Sequence, residues 1–487
     1  MNRSIAKLYV CVLVLFALLF VWTSRWTVFS SSALANNPLN RLGYFATLKV
    51  KRGRILAADG HTVLARSVPA GGGTWSRTYP LGPLFAQTVG YNNIQEGQSS
   101  GLEQAWVKAL ENRQQTTLSS VFGPISTSNL GNDVITTLDP QAQGLARSLL
   151  AGRVGSVVAI VPQTGAIPVM YSNPTYNDNH PSAPCPTLPN AGQAQALAAS
   201  CQLNLATQAG FAPGSTFKVV TTAAALNTGR YTPTSLINGH SPLIVSGVPL
   251  HNDANEQFGN VTLTEALTLS INTVYAQVGQ NVGRATMQEY MHRFGFYAPP
   301  PVDLPNVIAS GERAPDGRLL EPTSPTVDLG RMSIGQDKLE VTPLQMAMVV
   351  AAVADGGRLM RPRLVSKVVN PDGQIVETDA PSVFSNVMSA KAAAEEAVMM
   401  QHVVEEGTGQ AANLGGLNAA GKTGTATVSG TYNGPELDNA WFVGFAPVQH
   451  PRIAVAVVLP RVPNGYGGTY AAPIAAQMMK TLLSEGL

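Results

Sequence analysis

The sequence predicts a mixed α+β / α/β protein in three parts: an N-terminal membrane anchor, a small extended N-terminal module, and a larger body whose antiparallel β-sheet is covered by helices. Three observations predict it. An uncharged apolar run begins at Leu8. Stretches rich in Val, Thr and aromatic residues at 421–428, 439–445 and 453–459 read as neighbouring antiparallel strands, with a helix from Pro473 to about Glu485 to cover them. Between these lie Ser215 and Lys218, where Pro213 and Gly214 break the chain and an apolar helix begins.

The chain has 487 residues, enough for two or three domains with cores of their own, and 12% charged residues with a net charge of +2. That balance, with no long basic run, predicts no nucleic-acid partner. Gly 46 and Pro 34 suit a loop-rich α/β protein better than a coiled coil. Arg3 and Lys7 precede the apolar run from Leu8 to Trp22, which reaches the length of a bilayer span if it extends to Phe29. The expected topology is residues 1–7 cytoplasmic, 8–29 an uncleaved anchor, and everything after about residue 30 outside the cytoplasm. The competing reading is a signal peptide cleaved near Ala33-Leu34-Ala35.

Residues 30–150 are expected to form a non-catalytic pedestal module. Asp59-Gly60 lies between two β-forming stretches, 50–56 and 62–65, as in a hairpin. Helical character follows Ser100-Gly101-Leu102-Glu103 as far as Leu110, and 134–138 reads as a strand. The second part, 151–487, opens with apolar strands at 156–161 and 166–171 around Gly165. A loop rich in Pro, Ala, Asn and Gln follows, from Asn173 to about Leu203. Thr262-Leu263-Thr264-Glu265 is a capping box whose short helix delivers Ser270-Ile271-Asn272 to a turn. A helix beginning at Thr342-Pro343 should end at Gly356-Gly357.

Ser215 and Lys218 share a helical face, so a lysine that has lost its proton in a low-dielectric cleft could act as base on the serine hydroxyl. Ser215 alone would be read as a helix cap. Ser4-Ile5-Ala6-Lys7 fits the same spacing but has nothing around it to build a site. Residues 416–423 match the phosphate-loop pattern letter for letter. They lack the preceding apolar strand and following helix which that loop requires, so a nucleotide site is not expected. No metal-ligand motif or cofactor signature stands out, and the scattered histidines read as structural.

Ser215-x-x-Lys218, Ser270-x-Asn272 and Lys422-Thr423-Gly424, in that order, resemble the motifs of the penicillin-binding and serine β-lactamase superfamily. The chain resembles a class B penicillin-binding protein over nearly its whole length. Arg52-Gly53-Arg54-Ile55, Ser100-Gly101-Leu102-Glu103, Gly335-Gln336 and Val341-Thr342-Pro343 support this, and residues 403–409 look most like the division-associated enzymes of actinobacteria. The resemblance implies a transpeptidase domain with an antiparallel sheet, covering helices and an all-helical lobe. It also implies a peptidoglycan D,D-transpeptidase. Ser215 would attack the penultimate carbonyl of a stem peptide ending in D-Ala-D-Ala, and Lys218 would take its proton. Ser270 would relay a proton to the leaving amine, Asn272 would hold Lys218 and the substrate amide, and Lys422 would supply positive potential. Thr423, Gly424 and Thr425 would bind the substrate, with the N–H groups of Ser215 and Thr425 as the oxyanion hole. Implied partners are stem peptides, β-lactams as covalent inhibitors, a glycan polymerase of the RodA/FtsW (SEDS) kind, and divisome or elongation proteins.

Alternatives remain on the same fold. A D,D-carboxypeptidase or β-lactamase would use water as acceptor; Ile271, where β-lactamases often carry Asp, and the lack of an evident deacylating Glu argue mildly against the second. A non-enzymatic β-lactam sensor would need more cytoplasmic chain than residues 1–7, and residues 30–150 are too few for a glycosyltransferase domain of the usual kind. Cys185 and Cys201 lie outside the anchor in an oxidising compartment. They are either bridged, closing a loop just before the nucleophile, or two separate thiols.

Overall fold

The computed structural model describes residues 3–26, 30, 48–93, 96–112, 130–190, 192–429 and 436–486. In chain order, the elements that position the site begin with α1 (Arg3–Ser24), β1 (Ile55–Leu56), β2 (Val63–Gly71), β3 (Thr74–Thr78) and β4 (Asp133–Thr136). Next come α2 (Pro140–Leu150), β5 (Gly155–Ile160), β6 (Val169–Asn173), α3 (Lys218–Asn227), α4 (Leu263–Thr268) and α5 (Asn272–Val282). The last are α6 (Pro343–Ala354), β7 (Val365–Val369), β8 (Ile375–Thr378), α7 (Ala390–Glu405), β9 (Ala420–Ser429), β10 (Leu437–Ala446), β11 (Ile453–Pro463) and α8 (Ala472–Ser484).

Helix α1 is 22 residues long, apolar enough to cross a membrane, and has no buried residue. The expected span ran to Phe29; residues 27–29 and the cleavage motif at 33–35 lie outside the described residues.

The body is built on the five-stranded sheet β9-β10-β11-β5-β6, antiparallel throughout. Both faces are buried, because alternate side chains along each strand serve two cores. Val157, Val455 and Val457 pack with Ala146, Leu150, Met478 and Leu482 of α2 and α8. Val158, Ala456 and Val458 pack on the other side, toward Leu344 and Met348 of α6. Every residue of α6 is buried, which makes it the central pillar. Its start follows the sequence signal: Thr342 accepts from the Gln345 N–H, and Pro343 occupies the first turn.

A second sheet, ordered β8-β7-β4-β1-β2-β3, joins the two parts of the chain. β4 pairs parallel with β1 and antiparallel with β7, so the pedestal is not a separate layer on a linker. The sheet therefore spans the division expected at residue 150. Helix α2 belongs to the body, where Ala142, Ala146 and Leu150 are buried with the five-stranded sheet. Within the pedestal, Arg52 and Arg77 both reach the buried carboxylate of Glu103, at 3.3 and 2.5 Å, and Arg52 also reaches Glu111 at 3.2 Å. The Arg52 and Glu103 segments that carry part of the resemblance are thus one buried ionic cluster.

Candidate active site

Ser215 does not cap the helix, as one reading of the sequence had it; it sits inside a 3₁₀ turn, Gly214–Phe217, that runs straight into α3. Gly214 adopts φ +52°, and a Cβ there would lie 2.6 Å from the Thr425 carbonyl oxygen. Gly335, at φ +79°, closes from the other side, with its carbonyl accepting from the Gly214 N–H at 3.0 Å. The indole N–H of Trp441 donates to the Ala212 carbonyl at 2.9 Å. The nucleophile turn is therefore clamped by three distant segments.

The capping box forms as read: Thr262 accepts from the Glu265 N–H while the Glu265 carboxylate accepts from the Thr262 N–H. Helix α4 then ends, and Ser270 takes a left-handed conformation, φ +61°, before Asn272 opens α5. This turn brings Ser270 and Asn272 to Lys218. The Lys218 amine is fully buried and donates to Ser270 O at 2.6 Å and Asn272 Oδ1 at 2.8 Å, with Ser270 Oγ at 3.2 Å. It also lies over the Tyr275 ring, 5.5 Å from the centroid. Among the described residues, Lys218 makes no hydrogen bond to Ser215, the contact that helical spacing suggested. Its partners come from the Ser270 turn.

Lys422 projects from β9 and donates to Ser270 Oγ at 2.9 Å and to Thr423 O at 3.1 Å. Alternation puts Lys422, Gly424 and Ala426 on the strand face that meets the nucleophile turn. A Cβ at Gly424 would lie 2.5 Å from Pro213 O and 2.9 Å from the Thr216 methyl, so only glycine permits this approach. Thr423 Oγ1 and Thr408 Oγ1 are 2.6 Å apart, and Thr425 Oγ1 accepts from the Gly467 N–H at 3.3 Å. Among the described residues β9 is an edge strand, paired with β10 on one side.

The electrostatics follow from burial. Burial holds the Lys218 amine well below its usual range, the neighbouring Lys422 charge lowers it further, and Asp253 opposes the shift. Burial alone lowers Lys422 to about 7. One buried lysine is thus poised to accept a proton beside one that keeps a share of positive charge near neutral pH.

The structure brings Ser215, Lys218, Ser270, Asn272, Lys422, Thr423, Gly424 and Thr425 together. Cys185 and Cys201 are joined in a disulfide, with Cα atoms 5.5 Å apart. Sequence reasoning missed Trp441, Tyr275 and the 251–253 segment, where the His251 carbonyl accepts from Asn272 Nδ2 at 3.2 Å and Asn252 Oδ1 accepts from the Thr273 N–H at 3.0 Å. None of these has a local motif that could have marked it.

Residues 155–480 match the penicillin binding protein transpeptidase domain, and residues 52–130 match the penicillin binding protein A dimerisation domain. The chain is 33% identical to the peptidoglycan D,D-transpeptidase PbpA of Mycolicibacterium smegmatis over 100% of both chains. It is 31% identical to PbpA of Mycobacterium tuberculosis over 99% of both. The ceftriaxone acyl-enzyme structure of the M. tuberculosis penicillin-binding protein A superposes with TM-score 0.76 at 30% identity, covering 90% of this chain and 100% of that one. A D,D-transpeptidase domain from Eggerthella lenta gives 0.75 at 32% identity, over 90% and 99%. With a transpeptidase-domain match over 155–480 and similarity along the full length, this chain belongs to the penicillin-binding protein transpeptidase family.

Proposed function

We propose that the protein is a serine D,D-transpeptidase that cross-links peptidoglycan stem peptides and is acylated by β-lactams. The observation that carries this reading is the buried network of Lys218, Ser270, Asn272 and Lys422 beside Ser215, whose hydroxyl has no hydrogen-bond partner among the described residues. The Ser215 hydroxyl proton passes to Lys218 as Oγ attacks the penultimate carbonyl. Ser270, in contact with both lysines, passes a proton to the departing D-Ala amine or opened lactam nitrogen. An amine of a second stem peptide then attacks the ester and loses its proton, which restores the Ser215 hydroxyl. The outer edge of β9 pairs with the extended donor peptide, and Thr423 and Thr425 with Lys422 hold its terminal carboxylate. The N–H groups of Ser215 and Thr425 serve as the oxyanion hole.

The transpeptidase body would lie outside the cytoplasm, with α1 in the membrane. The exposed apolar surface of α1 and the pedestal are the proposed contact with a polymerase of the RodA/FtsW kind. Exchanging both for unrelated segments should abolish co-purification with that polymerase. The chemistry is tested by mass spectrometry of protein incubated with benzylpenicillin. The expected result is one adduct on the peptide containing Ser215, absent in Ser215→Ala; an adduct that persists in that variant defeats the assignment. Turnover of a D-Ala-D-Ala peptide with a D-amino acid acceptor separates the alternatives. A transpeptidase forms the amide, whereas hydrolysis alone would make the protein a carboxypeptidase.

A further inference from the structure

The Ser270-Ile271-Asn272 turn has little hold of its own. Ser270 keeps a left-handed φ of +61°, which a residue other than glycine keeps only where its surroundings impose it. Helix α5 begins directly afterwards, and its N-cap residue, Ile271, has an aliphatic side chain and makes no capping bond. This turn nonetheless carries Ser270 O and Asn272 Oδ1, the acceptors of the Lys218 amine, and the hydroxyl that joins the two lysines.

The hold comes from Asn252, on a separate connection. Asn252 stands at the N-cap of the short 3₁₀ turn Asp253–Asn255, where an asparagine ordinarily spends its side chain on the N–H groups of its own turn; it makes no such bond. The side chain crosses instead to α5, where Oδ1 accepts from the Thr273 N–H at 3.0 Å, a first-turn donor that Ile271 leaves open. Its Nδ2 donates to Gly239 O at 3.0 Å and to Glu256 O at 3.2 Å, and Gly239 O also accepts from Thr273 Oγ1 at 3.1 Å. Asn252 is 4% exposed and Thr273 is fully buried, so these bonds are made away from water, where losing one leaves a group without a partner. The same connection orients Asn272. The His251 carbonyl accepts from Asn272 Nδ2 at 3.2 Å, which turns Oδ1 toward Lys218.

We propose that Asn252 is a positioning residue for acylation of Ser215: through the Thr273 N–H and the adjoining His251 carbonyl it fixes the Ser270–Asn272 turn against the Lys218 amine. This rests on the transpeptidase reading of that site. The test is stopped-flow acylation of the whole protein by benzylpenicillin, resolved into the dissociation constant of the non-covalent complex and the rate constant of the covalent step. Asn252→Ala should lower the covalent rate constant about tenfold or more, since small misplacements of catalytic groups cost that much, and leave the dissociation constant within about twofold. Asn252→Ser keeps a polar group but is too short to span to Thr273. It should act in the same direction, and it serves if Asn252→Ala does not fold. Gln277→Ala is the control, because Gln277 makes a tie of the same kind one turn farther along α5, donating to Asn238 O at 2.8 Å. Its covalent rate constant should stay within about twofold of wild type. A merely structural role for Asn252 would shrink the fraction of protein that acylates and leave the rate constant of that fraction unchanged. A wild-type covalent rate constant in the Asn252 variants, a loss confined to the dissociation constant, or an equal fall in Gln277→Ala overturns the proposal. Failure of the wild type to acylate would instead count against the transpeptidase reading, so the two failures are distinguishable.

Discussion

Ser270 Oγ lies 3.2 Å from one lysine amine and 2.9 Å from another, and both lysines are fully buried. Two ammonium groups so placed repel, and burial penalises each, so the pair cannot hold both protons near neutral pH. Lys218, shifted well below its usual value, exists as the free base over a wide range and is fully active only above its folded pKa. Acylation by penicillin should therefore fall on acidification through that pKa and be flat well below pH 10.5, which stopped-flow measurement of the acylation rate checks. An apparent pKa near 10.5 would remove Lys218 from the base role. Lys218→Ala should lower the rate by about 10²–10⁴. Lys422, at about 7, loses its charge as pH rises, so the KM for a substrate bearing a carboxylate should rise above pH 7. Glu396 on α7 makes stability itself depend on pH. Both its carboxyl oxygens are buried without partners among the described residues, and burial holds its pKa well above 4.5. A raised acid pKa means stability that is present below the unfolded value and lost as pH climbs toward the folded one. Glu396→Gln should flatten the decline of melting temperature as pH rises above the ordinary carboxyl range toward the raised pKa of the buried acid; a decline as steep as in the wild type would show that Glu396 does not contribute.

At the scale of elements, the site depends on how closely β9 approaches the nucleophile turn. Gly424→Ala would place a methyl group against Pro213 O and the Thr216 methyl, and overpacking of that kind costs about 1–3 kcal/mol. Because the strand must retreat from Ser215, acylation should fall at least tenfold; a rate within twofold of wild type would show that the close approach is dispensable. The Cys185–Cys201 bridge closes a loop of separation 16 that ends 14 residues before Ser215. Its loss should cost about 3 kcal/mol by freeing the unfolded chain. Since neither sulfur enters the chemistry, Cys201→Ser should lower the melting temperature and leave the acylation rate nearly unchanged. These elements differ in how far the sequence announced them. The Pro213-Gly214 break, the Thr262 capping box and the Thr342-Pro343 start are local signals, and each forms as read. Helix α7 was not legible: its cap, Ser389, is followed at the third position by Ala392, so no capping box marks it. Nor was the hold of Trp441 on Ala212 legible, because a contact between residues 229 apart leaves no periodicity or turn signature in either segment.

For the whole molecule, the sequence suggested a pedestal set apart from the body, and the structure shows a sheet running through both. The short β4 hides this, since four residues carry no sign of which strands will flank them. β4 takes β1 on one side, with the Val134 N–H donating to Arg54 O at 2.8 Å, and β7 on the other, with Thr137 N–H donating to Leu364 O at 2.8 Å. The apolar interior is also continuous: Ile55, Leu64 and Val134 from the pedestal side belong to the same buried cluster as Val158, Phe217 and Leu344. Removing the pedestal would strip a partner strand from β7 and open that shared cluster to water. Loosely linked domains would be expected to melt separately. Here the chain after α1 should unfold in one calorimetric transition, with pedestal and body losing protection together in hydrogen exchange. The contacts of an acyl group on Ser215 exist only in the folded state, so penicillin acylation should raise the temperature of that single transition as a whole. Two resolved transitions, with only the later one shifted by penicillin, would show that the shared sheet does not couple the parts.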